Sequence, residues 1–225
     1  MKYTIAIDGP AGAGKSTIAK LLASELNILY LDTGAMYRAV GLKALRENID
    51  IKDTEKIDEM IKNIDIQVRY IDGKQHTYLD GEDVTHKIRT PEVSLAASNV
   101  AVIKSVRLKM VELQREIAKD MSVIMDGRDI GTYVLPNAPF KFFITATPEE
   151  RARRRYLEMK ESGEKNVDYD IILKDIKYRD ENDSTRAFAP LKKADDAILV
   201  DNTFMTVEET LSKILSHIKG DGVNQ

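Results

Sequence analysis

The residues best suited to chemistry form one glycine-rich segment near the start of the sequence. Residues 9–16 match the pattern G-x-x-x-x-G-K-[ST] in full. Glycines let the backbone bend so that several N–H groups point inward, and a following helix adds its positive dipole. Lys15 can reach the β- and γ-phosphates of a nucleoside triphosphate, and the Ser16 hydroxyl can coordinate Mg²⁺. The pattern therefore predicts a phosphate-binding loop made of Gly9, Pro10, Ala11, Gly12, Ala13, Gly14, Lys15, Ser16 and Thr17.

Arginine is the second residue type here that could act on phosphates. Arg38 and Arg128 each follow a predicted strand, while Arg179 and Arg186 flank an acidic segment. The negative charge of a phosphorylated acceptor repels that of a triphosphate beside it. Arginine side chains offset this repulsion by donating bidentate hydrogen bonds to phosphate. These residues favour a kinase whose acceptor carries a phosphate. A further group lies on one predicted helix and consists of Arg151, Arg153, Arg154 and Arg155.

A phosphate acceptor also removes the need for a general base. The three histidines fall in a predicted insert or near the C-terminus, away from the predicted strand ends. A monophosphate has a second pKa of about 6, so it is largely ionised at neutral pH. Positioning and charge stabilisation then suffice for phosphoryl transfer.

Other classes of protein with this loop fit less well. A GTPase needs an Asn-Lys-x-Asp segment, which the sequence lacks. In a motor ATPase the apolar run that ends at Asp126 is typically followed by a second acid, but Gly127 and Arg128 follow here. An ATPase acting on a nucleic acid or protein stays open as an alternative. Asp32-Thr33-Gly34 spells the aspartic-protease signature, yet it lies between a short parallel strand and a helix rather than in an all-β fold.

The elements that must position these residues alternate between strands and helices. Short apolar strands are predicted at 3–7, 28–31, 123–125, 141–145 and 197–200. Helices are predicted at 15–26, 35–47, 91–119, from Pro148, at 169–182 and at 207–218. This order predicts an α/β fold with a central parallel sheet between helical layers, and ligands at the carboxyl ends of the strands. Two Asp-Gly pairs predict a small antiparallel β insert at about 64–85.

Composition sets limits on the partners. The 225 residues include no cysteine and carry a formal net charge of -3. Disulfides and thiol chemistry are excluded, and no basic field suggests a nucleic-acid partner. The N-terminal apolar run is too short for a signal peptide or a membrane span. We expect a cytoplasmic monomer that binds neither a membrane nor a nucleic acid.

Four segments stand out along the chain: IDGPAGAGKS at 7–16, LDTGAMYR at 31–38, DGRDIGT at 126–132 and RAFAPL at 186–191. In order and in spacing they resemble bacterial cytidylate kinases. The resemblance covers essentially the whole chain up to about Gly220. It implies a three-layer P-loop kinase fold with a short helical lid, and phosphorylation of CMP or dCMP by ATP with Mg²⁺. A broader pyrimidine kinase that also takes UMP is the alternative within the family.

The resemblance also implies residue roles. Cytosine would contact Ser98, Arg107 and Asp129, with Arg186 supporting the aspartate, and Asp183 would bind the ribose. The acceptor phosphate would contact Arg38, Arg128, Arg179 and Thr33. Lys15, Arg38, Arg128 and Arg179 would be catalytic, and ATP would also contact Arg151, Arg154 and Arg155. Beyond Ser16, either Asp32 or Asp126 could support Mg²⁺.

Domain bounds follow from the same likeness. The core is expected at 1–36, 86–147 and 183–219, and the nucleoside-monophosphate region at 37–85. The arginine-rich lid is expected at 148–182, and a frayed tail at 220–225.

Overall fold

A computed structural model describes residues 3–164 and 166–220 of the chain. Its strands are β1 (Thr4–Asp8), β2 (Leu29–Asp32), β3 (Ile66–Ile71), β4 (Lys74–Leu79), β5 (Glu82–Asp83), β6 (Val123–Gly127), β7 (Phe140–Thr145) and β8 (Ile198–Asp201). Its α-helices are α1 (Lys15–Glu25), α2 (Thr33–Arg46), α3 (Thr54–Asn63), α4 (Pro91–Val100), α5 (Lys104–Asp120), α6 (Pro148–Glu161), α7 (Tyr169–Thr185) and α8 (Val207–Gly220). None of the helices in the described ranges is long and apolar enough to cross a membrane.

Five strands form a parallel sheet in the order β2-β6-β1-β7-β8. Side chains alternate across it, so Ile5 and Ile7 of β1 pack on one face with Ile18 of α1 and Ile214 of α8. Ala6 faces the opposite side, where α2 and α5 complete a second apolar cluster. These two clusters confirm the predicted sheet between two helical layers.

A second, antiparallel sheet contains β3, β4 and β5, which confirms the predicted β insert. Asp72-Gly73 joins β3 to β4, and Asp80-Gly81 joins β4 to β5. All four turn residues have φ between 50° and 84°. Two consecutive positive φ values twist a two-residue turn in the hand that antiparallel strands need, and Asp-Gly adopts them readily.

Two helical regions differ from the sequence-based prediction. The single helix predicted at 91–119 is two helices, because Ile103 is extended (φ -80°, ψ 125°). The break frees the carbonyl of Ala101, which accepts a hydrogen bond from Nη1 of the buried Arg107 at 3.2 Å. The pattern analysis also missed α3, although Ile57, Met60 and Ile61 are buried at helical spacing. The predicted tail lies outside the described residues from 221 onward.

Candidate active site

The phosphate loop, residues 9–17, bends where only glycine fits. Gly9 has φ 147°, and a Cβ placed there would lie 1.9 Å from the carbonyl oxygen of Ile144 in β7. Gly14 has φ 82° and directly precedes α1. The loop therefore runs between the end of β1 and the N-terminus of α1, the context that makes this pattern an anion-binding site.

Lys15 lies inside this loop and is only 5% exposed. Its Nζ donates a hydrogen bond of 2.7 Å to the carbonyl of Pro10. Burial, together with the nearby charge of Arg128, lowers the pKa of Lys15 to about 7. An anionic ligand would stabilise the charged form of Lys15, because it offsets both the cost of burial and the repulsion from Arg128.

Ser16 and Asp126 bring two oxygen donors together at the mouth of the loop. The Ser16 hydroxyl donates to Oδ2 of Asp126 at 2.7 Å, and the Tyr30 hydroxyl donates to Oδ1 at 2.9 Å. Burial, with repulsion from Asp32, raises the pKa of Asp126. A divalent cation would relieve that cost, and hydroxyl and carboxylate oxygens are the donors that Mg²⁺ prefers.

The donor set suits Mg²⁺ that is shared with phosphates. Within residues 3–164 and 166–220, no cluster of three or more acids or histidines could hold a metal ion alone. Mg²⁺ commonly takes one or two protein oxygens and completes its shell with water and substrate phosphates. Ser16 and Asp126 fit that pattern. Asp32 differs, since its Oδ1 accepts from the Ala35 N–H at 2.9 Å and its Oδ2 pairs with Arg38 at 2.8 Å.

One cavity of about 880 Å³ opens on the outer side of the phosphate loop. We call it the donor cavity; its lining includes Lys15, Ser16, Arg153, Arg154 and Asn202. Sequence reasoning missed Asn202, which follows β8. The side-chain amide of Asn202 donates to the carbonyl of Ala13 at 3.1 Å, and the backbone carbonyl of Asn202 accepts from Nη2 of Arg154 at 2.7 Å. Asn202 thus links the loop to the arginine-rich helix α6.

The arginines expected at ATP occupy three different environments. Arg154 lines the donor cavity. Arg151 is 3% exposed and donates to the Ala11 and Ala146 carbonyls and to both carboxylate oxygens of Asp180. It therefore ties the phosphate loop to α6 and α7 rather than facing the cavity. Arg155 lies outside the cavity lining and pairs with Glu158 at 2.9 Å, whereas Arg153, which had no assigned role, does line it.

A second, smaller cavity of about 210 Å³ lies on the inner side of the loop. We call it the acceptor cavity. Its lining contains every residue that the sequence analysis expected at the acceptor: Thr33, Arg38, Ser98, Arg107, Arg128, Asp129, Arg179, Asp183 and Arg186. It also contains Gly12, Lys15 and Ser16, which line the donor cavity as well. The two cavities therefore meet at the phosphate loop.

Buried carboxylates organise the arginines of the acceptor cavity. Arg128 donates through Nε to Oδ2 of Asp183 at 2.6 Å. Burial alone would raise the pKa of Asp183, but the guanidinium groups of Arg128, Arg186 and Arg179 together outweigh it and the pKa is lowered. Arg107 forms an ion pair with Asp129, and Arg186 lies 3.6 Å from both Asp129 and Asp183. The result is a network of fixed charges with few rotatable parts.

Several polar groups in this cavity lack hydrogen-bond partners among the described residues. They include the buried Oγ of Ser98 and the Nε atoms of Arg38 and Arg179. Burial and the proximity of Arg128 lower the pKa of Arg179 to about 10. Leaving buried donors unpaired costs free energy, about 1–3 kcal/mol each. An anionic, polar ligand would recover that cost, so the cavity is built for one.

Asp8 is another buried carboxylate that sequence reasoning missed. It ends β1, and its oxygens accept from the N–H groups of Ile130 and Gly131 at 2.8 and 2.7 Å. Burial raises its pKa to about 6. Asp8 thereby fixes the turn that follows Arg128 and Asp129. The position of Asp8, one residue before the phosphate loop, was the feature of the sequence that could have indicated its role.

Comparison with known proteins agrees with this geometry. The family model described as "Cytidylate kinase" matches residues 5–220. A cytidylate kinase of Caldicellulosiruptor bescii is 60% identical over 214 residues, which cover 95% of this chain and 94% of the relative. A cytidylate kinase of Clostridioides difficile is 52% identical over 214 residues, covering 95% and 97%.

The fold also has a counterpart among solved structures. An uncharacterized protein from Eubacterium ventriosum superposes with a TM-score of 0.54 at 17% identity, over 97% of this chain and 99% of that one. That likeness concerns the fold alone. The match of the family model over nearly the whole length, together with relatives of such high identity, places the chain: it belongs to the cytidylate kinase family.

Proposed function

We propose that this chain transfers the γ-phosphoryl group of ATP to CMP, giving CDP and ADP. The observation that carries the proposal is the junction of two cavities at Gly12, Lys15 and Ser16. A triphosphate in the outer cavity and a monophosphate in the inner one would meet across these residues. Family membership supports both nucleotides.

An oxygen of the CMP phosphate attacks the γ-phosphorus, and ADP leaves with the electrons of the broken P–O bond. The acceptor arrives already ionised, so the protein needs no base. Arg38, Arg128 and Arg179 hold the acceptor phosphate, with the Thr33 hydroxyl nearby, and Lys15 holds the transferred group. These cations offset charge on the transferring oxygens. Mg²⁺, held by Ser16 with Asp126, would supply further charge neutralisation.

We attribute cytosine selection to the fixed charges of Asp129 and Arg107, which line the acceptor cavity. The carboxylate of Asp129 can accept from the exocyclic amino group of cytosine and would oppose the carbonyl that uracil carries there. Ser98 and Arg107 supply donors for the remaining polar edge. We therefore expect CMP to be a much better substrate than UMP. Asp183 is available to the sugar, which is compatible with both CMP and dCMP.

On the donor side, we assign contact with ATP to Arg153 and Arg154, and the support for this is that both line the donor cavity. The helical lid formed by α6 and α7 would exclude water, which would otherwise accept the phosphoryl group. For Arg151 we propose a different role from ATP contact, namely holding the loop through its four hydrogen bonds. We expect the enzyme to act as a monomer in the cytoplasm.

The test is an acceptor panel in a coupled assay of ADP release, run with CMP, dCMP, UMP, single-stranded RNA and no acceptor. We expect rapid release only with CMP and dCMP, and loss of activity on chelation of Mg²⁺. Release without any nucleoside monophosphate would overturn the proposal in favour of an ATPase. Equal kcat/KM for UMP and CMP would overturn the cytosine assignment alone.

A further inference from the structure

The β insert contacts the central sheet through two side chains. The side-chain amide of Gln75 accepts a hydrogen bond from the backbone N–H of Asp32 at 2.7 Å and donates one to the carbonyl of Asp32 at 3.3 Å. The hydroxyl of Tyr70 donates to the carbonyl of Tyr30 at 2.9 Å. Tyr70 and Gln75 are cross-strand partners in the β3–β4 hairpin, so both project from the same face toward β2.

The backbone groups that they contact belong to an edge strand. β2 is the outermost strand on one side of the parallel sheet and pairs only with β6 among the described strands. Residues 30 and 32 are two apart, so their backbone groups point to the same edge. An edge leaves such groups unpaired unless another element covers them. Here two side chains of the insert act in place of a neighbouring strand.

Both contacted residues also form side-chain hydrogen bonds with residues of the acceptor cavity. The Tyr30 hydroxyl donates to Asp126, which accepts from Ser16. Asp32 caps the first turn of α2 and binds Nη2 of Arg38 at 2.8 Å. A shift of the Asp32 backbone would therefore move the guanidinium that faces the acceptor phosphate. The insert and the reacting groups are joined through two consecutive sets of hydrogen bonds.

We propose that Gln75 is a positioning residue for phosphoryl transfer, acting through Asp32 on Arg38, with Tyr70 as its auxiliary through Tyr30. Gln75 lines neither the donor cavity nor the acceptor cavity. Its amide fixes the backbone of Asp32, and Asp32 fixes the fork of Arg38 beside the acceptor cavity. This proposal rests on the proposed function, because it concerns the same transfer step. It assigns to the insert a part in the rate of that step rather than in nucleotide binding alone.

The first test compares two glutamines of the insert. Gln75→Ala should lower kcat for CMP about tenfold, because small misplacements of a positioning group are costly. KM for ATP should stay within about twofold. The matched control is Gln67→Ala, since Gln67 is exposed and bonds only within the insert, to Asp65 and Arg69. Its kinetics should match the parent protein. Equal losses in both variants would overturn the proposal.

The second test asks whether Gln75 acts through Arg38. In an Arg38→Ala background, Gln75→Ala should cause little further loss of kcat, because the two changes remove one chain of contacts. Full additivity of the two losses would overturn the proposed path. Tyr70→Phe should have a smaller effect than Gln75→Ala, because it removes one hydrogen bond rather than two.

A third measurement separates this inference from the proposed function. Hydrogen exchange at the Asp32 amide should be faster in Gln75→Ala than in the parent, and unchanged in Gln67→Ala. It requires no turnover. If the parent failed to phosphorylate CMP while this difference persisted, the proposed function would fail and the contact would stand. An unchanged exchange rate would overturn the contact itself.

Discussion

The donor and acceptor sides of the site are built in opposite ways. On the donor side, hydrogen bonds within the protein satisfy the polar groups: Arg154 donates to Glu150 and to both carbonyl oxygens of Asn202, and the side-chain amide of Asn202 donates to Ala13. On the acceptor side, Ser98 and Arg179 retain buried polar atoms that no described residue binds.

This difference separates anchoring from selection. A self-satisfied loop binds the feature that all nucleoside triphosphates share, a chain of phosphates, and gives little discrimination among bases. A site with unpaired buried donors binds tightly only a ligand that pairs all of them, so a ligand that leaves one unpaired binds much more weakly. Base selectivity should therefore depend on the acceptor side, and substitutions on the two sides should have distinguishable effects.

The largest effect is expected at the donor side. Lys15→Ala should lower kcat/KM at least about 10³-fold, because it removes the cation at the junction of both cavities. The protein should remain folded, as measured by circular dichroism and thermal unfolding. Lys20→Ala, on the exposed face of the same helix, is the control. Near-normal turnover of Lys15→Ala would contradict the assigned role.

The next largest effect is expected at the acceptor phosphate. Arg128→Ala should lower kcat about 10²–10³-fold, the range for a charge-stabilising donor. It also leaves Asp183 without its 2.6 Å partner, so KM for CMP should rise while KM for ATP changes little. Steady-state kinetics with each nucleotide varied in turn measures both effects. Arg69→Ala, on the insert, should leave both constants unchanged.

A smaller effect is expected where the base is selected. Ser98→Ala removes the neutral hydrogen bond that we propose between the Ser98 hydroxyl and cytosine. Such a bond is worth about 1 kcal/mol, so kcat/KM for CMP should fall about fivefold. The rate with saturating CMP and limiting ATP should not change. A loss that appeared equally in KM for ATP would mean that the two sides are not separable. Ser94→Ala, in the same helix and cavity, is a matched control for volume.

The smallest effect concerns the proton on Lys15. Burial lowers the pKa of this amine to about 7, and bound phosphates should raise it. ATP binding at pH 7.5 should therefore be accompanied by proton uptake at Lys15. Calorimetry in two buffers of different ionisation enthalpy measures the uptake. Lys15→Met should lack it, so the difference between the two proteins isolates this group from the titration of ATP.

The sequence predicts this site unevenly, for physical reasons. The phosphate loop, Thr33 and Arg128 follow strands, so the predicted strands alone indicate that they lie together at the carboxyl ends of the parallel sheet. Ser98, Arg107 and Asp183 come from helices, whose side-chain directions depend on packing, and only the family resemblance indicated them. For Arg151 the resemblance implied contact with ATP, whereas its buried side chain donates to the Ala11 carbonyl and to Asp180 in this structure.

Elements were likewise predictable where patterns are local. The Asp-Gly pairs were sufficient to predict the insert, because the conformation of a two-residue hairpin turn depends on those two residues alone. The break at residues 101–103 was missed because hydrophobic spacing does not report a side-chain contact such as that of Arg107 with the freed carbonyl of Ala101. Gln75 could not have been found in the same way, since its partner lies 43 residues earlier on another sheet.

The order of strands also governs how the chain can be made. β6 lies between β1 and β2, yet it follows both by some ninety residues or more. During synthesis at about 5–20 residues per second, β1, the central strand, waits roughly ten seconds for its neighbour β6 to leave the ribosome. The Ser16–Asp126 contact cannot form earlier, and the face of β1 that packs on Ile214 is covered later still. The nascent chain is therefore most vulnerable to aggregation in that interval, and it acquires the ability to bind nucleotides only after its second half has emerged.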